Sequence, residues 1–117
     1  MQDIIERADA AIAPGSNRAA DLRFGHDTGI LPLAGLMGLK GPGDRMRAED
    51  IVGRWESFER VPMASNLQMI FYRNRAGRVL VKFLYQEQER RLRELESFSG
   101  PYYEWDVVKA NLEGFRR

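Results

Sequence analysis

The sequence contains no cysteine and only one histidine, His26. Without cysteine there is no disulfide framework and no thiolate chemistry, a composition that fits a reducing compartment. Charge of neither sign dominates, since 18 basic and 17 acidic residues leave a net charge of +1. That balance supplies no broad basic field of the kind that holds nucleic acid, and no acidic tail. No apolar run approaches the ~20 residues that a helix needs to cross a bilayer, so no membrane partner is expected. The start, MQDIIERADAAIA, is too charged to read as a signal peptide. No internal repeat or low-complexity linker breaks the chain.

What is present fits one small domain, or a contiguous piece of one, over residues 1–117. Hydrophobic residues at 44% and charged residues at 30% are ordinary for a globular chain and too apolar for a disordered one. The pattern predicts an α/β fold. Ile4, Ile5, Ala8, Ala11 and Ile12 share a helical face that Pro14-Gly15 terminates. In ADLRF, residues 20–24, Leu22 and Phe24 alternate with Asp21 and Arg23 as in a short strand closed by Gly25. ILPLAGLMGL, 30–39, is apolar nearly all round and reads as a buried helix, with Pro32 tolerable only near its first turn. KGPGDRMR is a loop, and AEDIVGRWESF, 48–58, reads as one amphipathic helix with Ile51, Trp55 and Phe58 on a face.

A late β-hairpin follows. LQMIFYR (67–73) and RVLVKFLYQ (78–86) flank the turn cluster at 74–77, with Val79, Val81, Phe83 and Tyr85 on one face. EQERRLRELES favours helix by composition but follows a strand and offers only Leu92 and Leu95 as apolar positions, so it fits neither element cleanly. PYYEWDVVKANLEGF predicts a closing amphipathic helix carrying Trp105, Val108 and Leu112. The aromatics Trp55, Phe58, Tyr102, Tyr103 and Trp105 read as core, Met63 and Met69 as packing residues, and the charged run 87–96 as a solvated face. Arg73, Arg75 and Arg78 form a small basic cluster around the hairpin turn.

The chemistry concentrates in DLRFGHDTGILP. A strand, then Gly-His-Asp-Thr-Gly, then a helix would place His26 and Asp27 where ligands bind in open α/β sheets. Unpaired N–H groups and the positive end of the helix dipole favour an anion there. An imidazolium adds a donor for phosphate oxygens, and a bound phosphate raises the pKa of a neighbouring carboxyl. A protonated carboxyl can then protonate a departing alkoxide. A plainer reading has Asp27 or Thr28 as an N-cap and Gly29 as a turn residue. From spacing alone the cap reading is the stronger.

DLRFGHDTGILPLAGLMGL, taken whole, resembles a block of the histidine acid phosphatases, the branch that includes phytases and multiple inositol polyphosphate phosphatases. WESFERVPMASNLQMIFYRN is similar to that family's following helix, proline-containing loop and first late strand. RVLVKFLYQEQER resembles the second late strand, and PYYEW the start of the closing helix. The resemblance runs from about residue 19 onward and implies the carboxyl-terminal portion of a histidine-phosphatase-like sheet flanked by helices. It implies that His26 binds the phosphate and that Asp27 is the proton donor, with a phosphorylated small molecule as partner and with neither cofactor nor metal. Thr28, Arg23 and Asn66 lie near matching stretches and are candidate substrate contacts. Arg23 reads more readily as a solvated strand residue.

Two features depart from the family. Many inositol-polyphosphate members carry His-Ala-Glu where this chain has His-Asp, as acid phosphatases do. The family's nucleophile belongs to an Arg-His-Gly-x-Arg-x-Pro block, which these residues do not contain. The expectation is therefore a segment holding half of a site, inactive alone, or else a non-catalytic phosphate-binding or protein-interaction module that keeps the fragment without its chemistry. It would partner the missing amino-terminal half or self-associate.

Overall fold

The computed structural model describes residues 1–114 and shows a small α/β fold, an antiparallel sheet with helices. Helix α1 spans Gln2–Ile12 and α2 Asp27–Met37. Single helical turns follow at Ala48–Ile51 (α3) and Ser57–Arg60 (α4). The sheet comprises β1 (Leu67–Arg73), β2 (Val79–Tyr85), β3 (Gln88–Arg90) and β4 (Tyr103–Glu104), and α5 covers Trp105–Gly114. Phe115, included in the predicted closing helix, lies outside the described residues.

The hairpin forms as its sequence predicts. β1 and β2 pair without a bulge from Leu67 opposite Tyr85 to Arg73 opposite Val79. Asn74 and Gly77 make the turn: the Asn74 N–H donates to the Arg78 carbonyl at 3.1 Å, and Gly77 takes φ 85°. The other edge of β2 is shared, with β3 against Phe83–Tyr85 and β4 against Leu80 and Val81. The ambiguous charged run is thus a strand at its start. Gln86 and Glu87 both adopt positive φ, the geometry of a tight two-residue hairpin turn, even though neither is glycine. Leu92, within the same run, is buried and forms a bridge with Leu39.

One face of the sheet builds the core. Val81, Phe83 and Tyr85 alternate inward and meet Tyr103, Trp105, Val108 and Leu112. Phe71 packs edge-on against Trp105 with ring centroids 5.0 Å apart, and Phe83 meets Tyr103 at 6.2 Å. Each such side chain removed from water contributes on the order of 2 kcal/mol. The hydroxyls of the two buried tyrosines are paired. Tyr103 Oη accepts from the Leu92 N–H at 2.9 Å, and Tyr85 Oη donates to the Arg60 carbonyl at 2.7 Å. Burial pushes the Tyr85 hydroxyl up from its ordinary pKa.

Helix α1 docks through Ile5 and through Asp9, which accepts from Trp105 Nε1 at 2.8 Å and from Lys109 Nζ at 2.5 Å. Partial burial alone would raise the Asp9 pKa. The hydrogen bonds from Lys109 and Trp105 outweigh it, and the carboxyl titrates below its usual value.

Three predicted elements differ. Residues 20–24 form no strand; Leu22 is 76% and Phe24 95% exposed. A strand needs a neighbour for its backbone groups, and the sheet is built wholly from residues 67–104. The predicted helix 48–58 is two separate turns, because Val52 is extended and Gly53 takes φ 74°. Phe58 is accordingly exposed, as is Met63 at 99%. Helix α2 is buried on one side only. Ala34 and Met37 face the core while Leu36 is half exposed, so its all-round apolar surface lacks a cover. Pro32 lies inside α2, past the first turn, where it removes an intrahelical hydrogen bond. The radius of gyration, 15.1 Å, exceeds the about 13 Å of a compact chain this long.

The C-terminus of α2 is closed tightly. Gly38 caps it at φ 69°, and the loop 40–44 folds back so that the Gly43 N–H donates to the Leu39 carbonyl at 2.8 Å. A Cβ at Gly43 would stand 2.5 Å from the Ala34 carbonyl oxygen and 2.7 Å from that of Leu39. Gly43→Ala is therefore expected to destabilise the fold by about 1–3 kcal/mol, read as a lowered denaturant midpoint. The Asp9 pairing makes a second forecast. Its depressed pKa contributes stability above the unfolded value of about 3.9, and that contribution is lost as pH falls through the folded value. Asp9→Asn should remove on the order of 1 kcal/mol at neutral pH, modest because both side chains remain about a third exposed. Urea titrations at neutral pH and below pH ~4 check this, the wild type and variant converging in acid.

Candidate functional site

Helix α2 begins where the Gly-His-Asp-Thr-Gly string lies, and this is what positions the pair. His26 is the N-cap residue with extended φ/ψ of −108° and 168°, and Asp27 is the first helical residue. The His26 carbonyl accepts from the Gly29 N–H at 2.9 Å and from the Ile30 N–H at 3.3 Å. The cap expected of Asp27 or Thr28 is not made, since among the described residues no side chain caps α2. Asp27 Oδ1 instead accepts from the Thr28 N–H at 2.8 Å, and the negative charge sits at the positive end of the helix dipole. His26, Asp27 and Thr28 are all exposed, and the His26 ring forms no hydrogen bond among the described residues.

Arg23 lies three residues upstream but turns to other partners. Its guanidinium donates to Asp3 on α1 at 2.6 Å and lies 3.8 Å from Asp21. Asp3 also accepts from Arg7 at 3.0 Å, and Asp21 lies within 3.5 Å of both Arg7 and Arg18. The hydrogen bonds from Arg7 and Arg23 hold the Asp3 carboxyl below its usual pKa. An open depression of about 390 Å³ sits over this network, lined by Asp3, Arg7, Asp21, Leu22, Arg23 and Phe24. A second, of about 290 Å³, is lined by Asp44, Met46, Ile51 and Trp55. Neither is lined by His26 or Asp27.

Asn66 belongs to a different neighbourhood. It stands at the start of β1, where its Oδ1 accepts from Gln68 at 2.9 Å and its Nδ2 donates to Glu87 at 3.2 Å. Of the predicted contacts, then, His26, Asp27 and Thr28 share one helix start, Arg23 is tied to α1, and Asn66 is held in the hairpin base. Among the described residues, no group of three or more His, Asp or Glu side chains is placed to hold a metal ion.

One cluster has no precedent in the sequence reading. Arg60 and Arg93 donate to the carbonyls of Gly41 and Gly43 at 2.9 and 2.6 Å, and the Arg90 guanidinium packs beside Gly41. These arginines come from α4, β3 and the segment after it, and they clamp the glycine-rich loop behind α2. Their spacing of 30 and 3 residues carries no recognisable signal; only the loop's glycines, which let guanidinium groups approach the backbone, were visible beforehand.

No family model matches the chain, and no curated protein matches it. The geometry at the start of α2 makes its own forecast. Asp27 contributes to the helix through the dipole and one local hydrogen bond, so Asp27→Asn should lower stability by under about 1 kcal/mol. A thermal melt that shifts by only a few degrees checks this, and makes the variant usable in functional assays.

Proposed function

We propose that this chain supplies the proton-donor half of a phosphomonoester-hydrolysing site of the histidine acid phosphatase kind. One observation carries the reading. His26 and Asp27 stand side by side, solvent-exposed, at the amino end of α2, a donor of hydrogen bonds and a carboxyl beside the positive end of a helix dipole. The similarity of the surrounding string to that family's proton-donor block supports it, and phosphate esters are the substrate class it implies.

In this role His26 donates to a nonbridging phosphate oxygen. Asp27, in its protonated form, gives its proton to the ester oxygen as the P–O bond breaks. A histidine from outside these residues attacks phosphorus and carries the phosphoryl group until water removes it. His26, the sole imidazole of the chain, is occupied by the phosphate, so hydrolysis needs that second histidine. The exposed Leu22, Phe24 and Leu36 are the surface such a segment would cover. Without it, the same pair is a phosphate contact that catalyses nothing.

The chain alone is expected to leave p-nitrophenyl phosphate intact, while inorganic phosphate shifts the His26 ring resonances in an NMR titration that His26→Ala abolishes. When a histidine-phosphatase amino-terminal half is supplied in trans or by fusion, turnover should appear. Asp27→Asn should then lower turnover of alkyl phosphates by about 10²–10⁴ and of p-nitrophenyl phosphate far less, because the better leaving group needs no proton. Equal activity of the reconstituted wild type and both variants would overturn the assignment.

A further inference from the structure

We propose that a second copy of this chain pairs with the open edge of β1, strand against strand, about a two-fold axis at Ile70. The observation is the state of that edge. The Gln86 N–H donates to the Asn66 carbonyl at 3.0 Å and the Asn74 N–H to the Arg78 carbonyl at 3.1 Å. Even-numbered residues of β1 therefore direct their backbone groups toward β2. By alternation, the N–H and C=O groups of Leu67, Met69, Phe71 and Arg73 point the other way. Among the described residues no strand meets them, because β1 is the end of the sheet.

Proteins ordinarily protect such an edge with proline, an inward charge, a bulge or brevity. β1 has none of these. It runs seven residues in unbroken register, contains no proline or lysine, and carries its only charge at the last position. Residues 67–71 are half-buried and mostly apolar. A strand of this kind templates another strand.

Charge selects the occupant and its direction. At the start of β1 the Glu87 carboxylate lies over the strand, accepting from Asn66 at 3.2 Å and from Gln68 at 3.3 Å. Arg73 and Arg75 lie at the other end, both exposed. The ion pairs within the sheet are Arg78 with Glu104 and Lys82 with Glu89, so Glu87, Arg73 and Arg75 enter none among the described residues. An antiparallel second copy brings its basic end to this acidic end, and the reverse, so opposite charges meet end to end, with Arg73 on the face of the sheet opposite to Gln68 and Glu87. A parallel copy would set like charges together. The register centred on Ile70 uses all four outward residues: Leu67 exchanges hydrogen bonds with Arg73 of the other copy, and Met69 with Phe71. The two sheets become one continuous sheet across the axis.

Sedimentation velocity on the full chain, over a concentration series, tests the interface. The wild type is expected to self-associate reversibly. Met69→Pro removes one outward N–H while sparing the ladder to β2, and it should sediment as a monomer with an unchanged circular dichroism spectrum. Should that variant fail to fold, charge reversal decides. Glu87→Arg alone, and Arg73→Glu with Arg75→Glu alone, should each weaken association by about threefold or more. Mixing the two reversed proteins should restore it, since each then offers the charge the other lacks at both ends. A wild type monomeric at its highest soluble concentration would overturn the proposal. So would a folded Met69→Pro protein that associates as the wild type does, for instance through the exposed Leu22 and Phe24, or a mixture no tighter than its components.

Discussion

Every strand of the sheet is hydrogen-bonded to β2, and the rest of the molecule is arranged around that fact. β2 gives its inward residues, Val81, Phe83 and Tyr85, to the core and its two backbone edges to β1 on one side and to β3 and β4 on the other. β4 leads directly into Trp105 and α5, so the ladder to Leu80 and Val81 sets where the closing helix starts. Trp105 in turn reaches Phe71 on β1 and Asp9 on α1. A register slip of one residue in β2 would turn the apolar set outward and detach both helices from their support.

The candidate site stands at a distance from this order. Helix α2 is anchored by its C-terminal half, where Met37 and Leu39 are buried, Leu39 bridges Leu92, and two arginines grip the loop behind it. Its amino end, with His26 and Asp27, has no strand leading into it and no wall around it among the described residues. The helix therefore presents the pair without enclosing it. General-acid chemistry on a phosphate ester requires the phosphorus to be held in line with the attacking atom, and that geometry would have to come from another segment.

The sequence was most legible where one period and one burial pattern acted together. In the hairpin, alternation, β-branched and aromatic residues and the turn residues Asn74 and Gly77 all agree, and α5 shows the same concord between its 3.6-residue period and its buried Trp105, Val108 and Leu112. Legibility failed where an element depends on a neighbour. The alternation of Leu22 and Phe24 is a strand pattern, but no adjacent strand exists among the described residues to realise it. Ile51, Trp55 and Phe58 have helical spacing, yet Gly53 in the left-handed region outweighs it in a stretch with little burial to repay the ordering. β3 was hidden because its turn uses Gln86 and Glu87 at positive φ, where turn chemistry leads one to look for glycine or asparagine. For the site, the dipeptide and its helix were readable, whereas the partners of Arg23 and Asn66 were set by tertiary contacts over 20 and 21 residues.

The docking of α1 also closes the longest loop among these contacts. The hairpin and its extension close short loops, and β4 reaches Leu80 over two dozen residues. Asp9 meets Trp105 across 96 residues, about four times that span. Each doubling of a closed loop costs about 0.6 kcal/mol of chain entropy, so joining the two ends of the chain is the most expensive closure in the molecule. The surface that repays it is built by β2, β4 and α5 together. Chain entropy thus makes the contact that fastens α1 to Trp105 and Lys109 costlier to close than the pairings within the sheet.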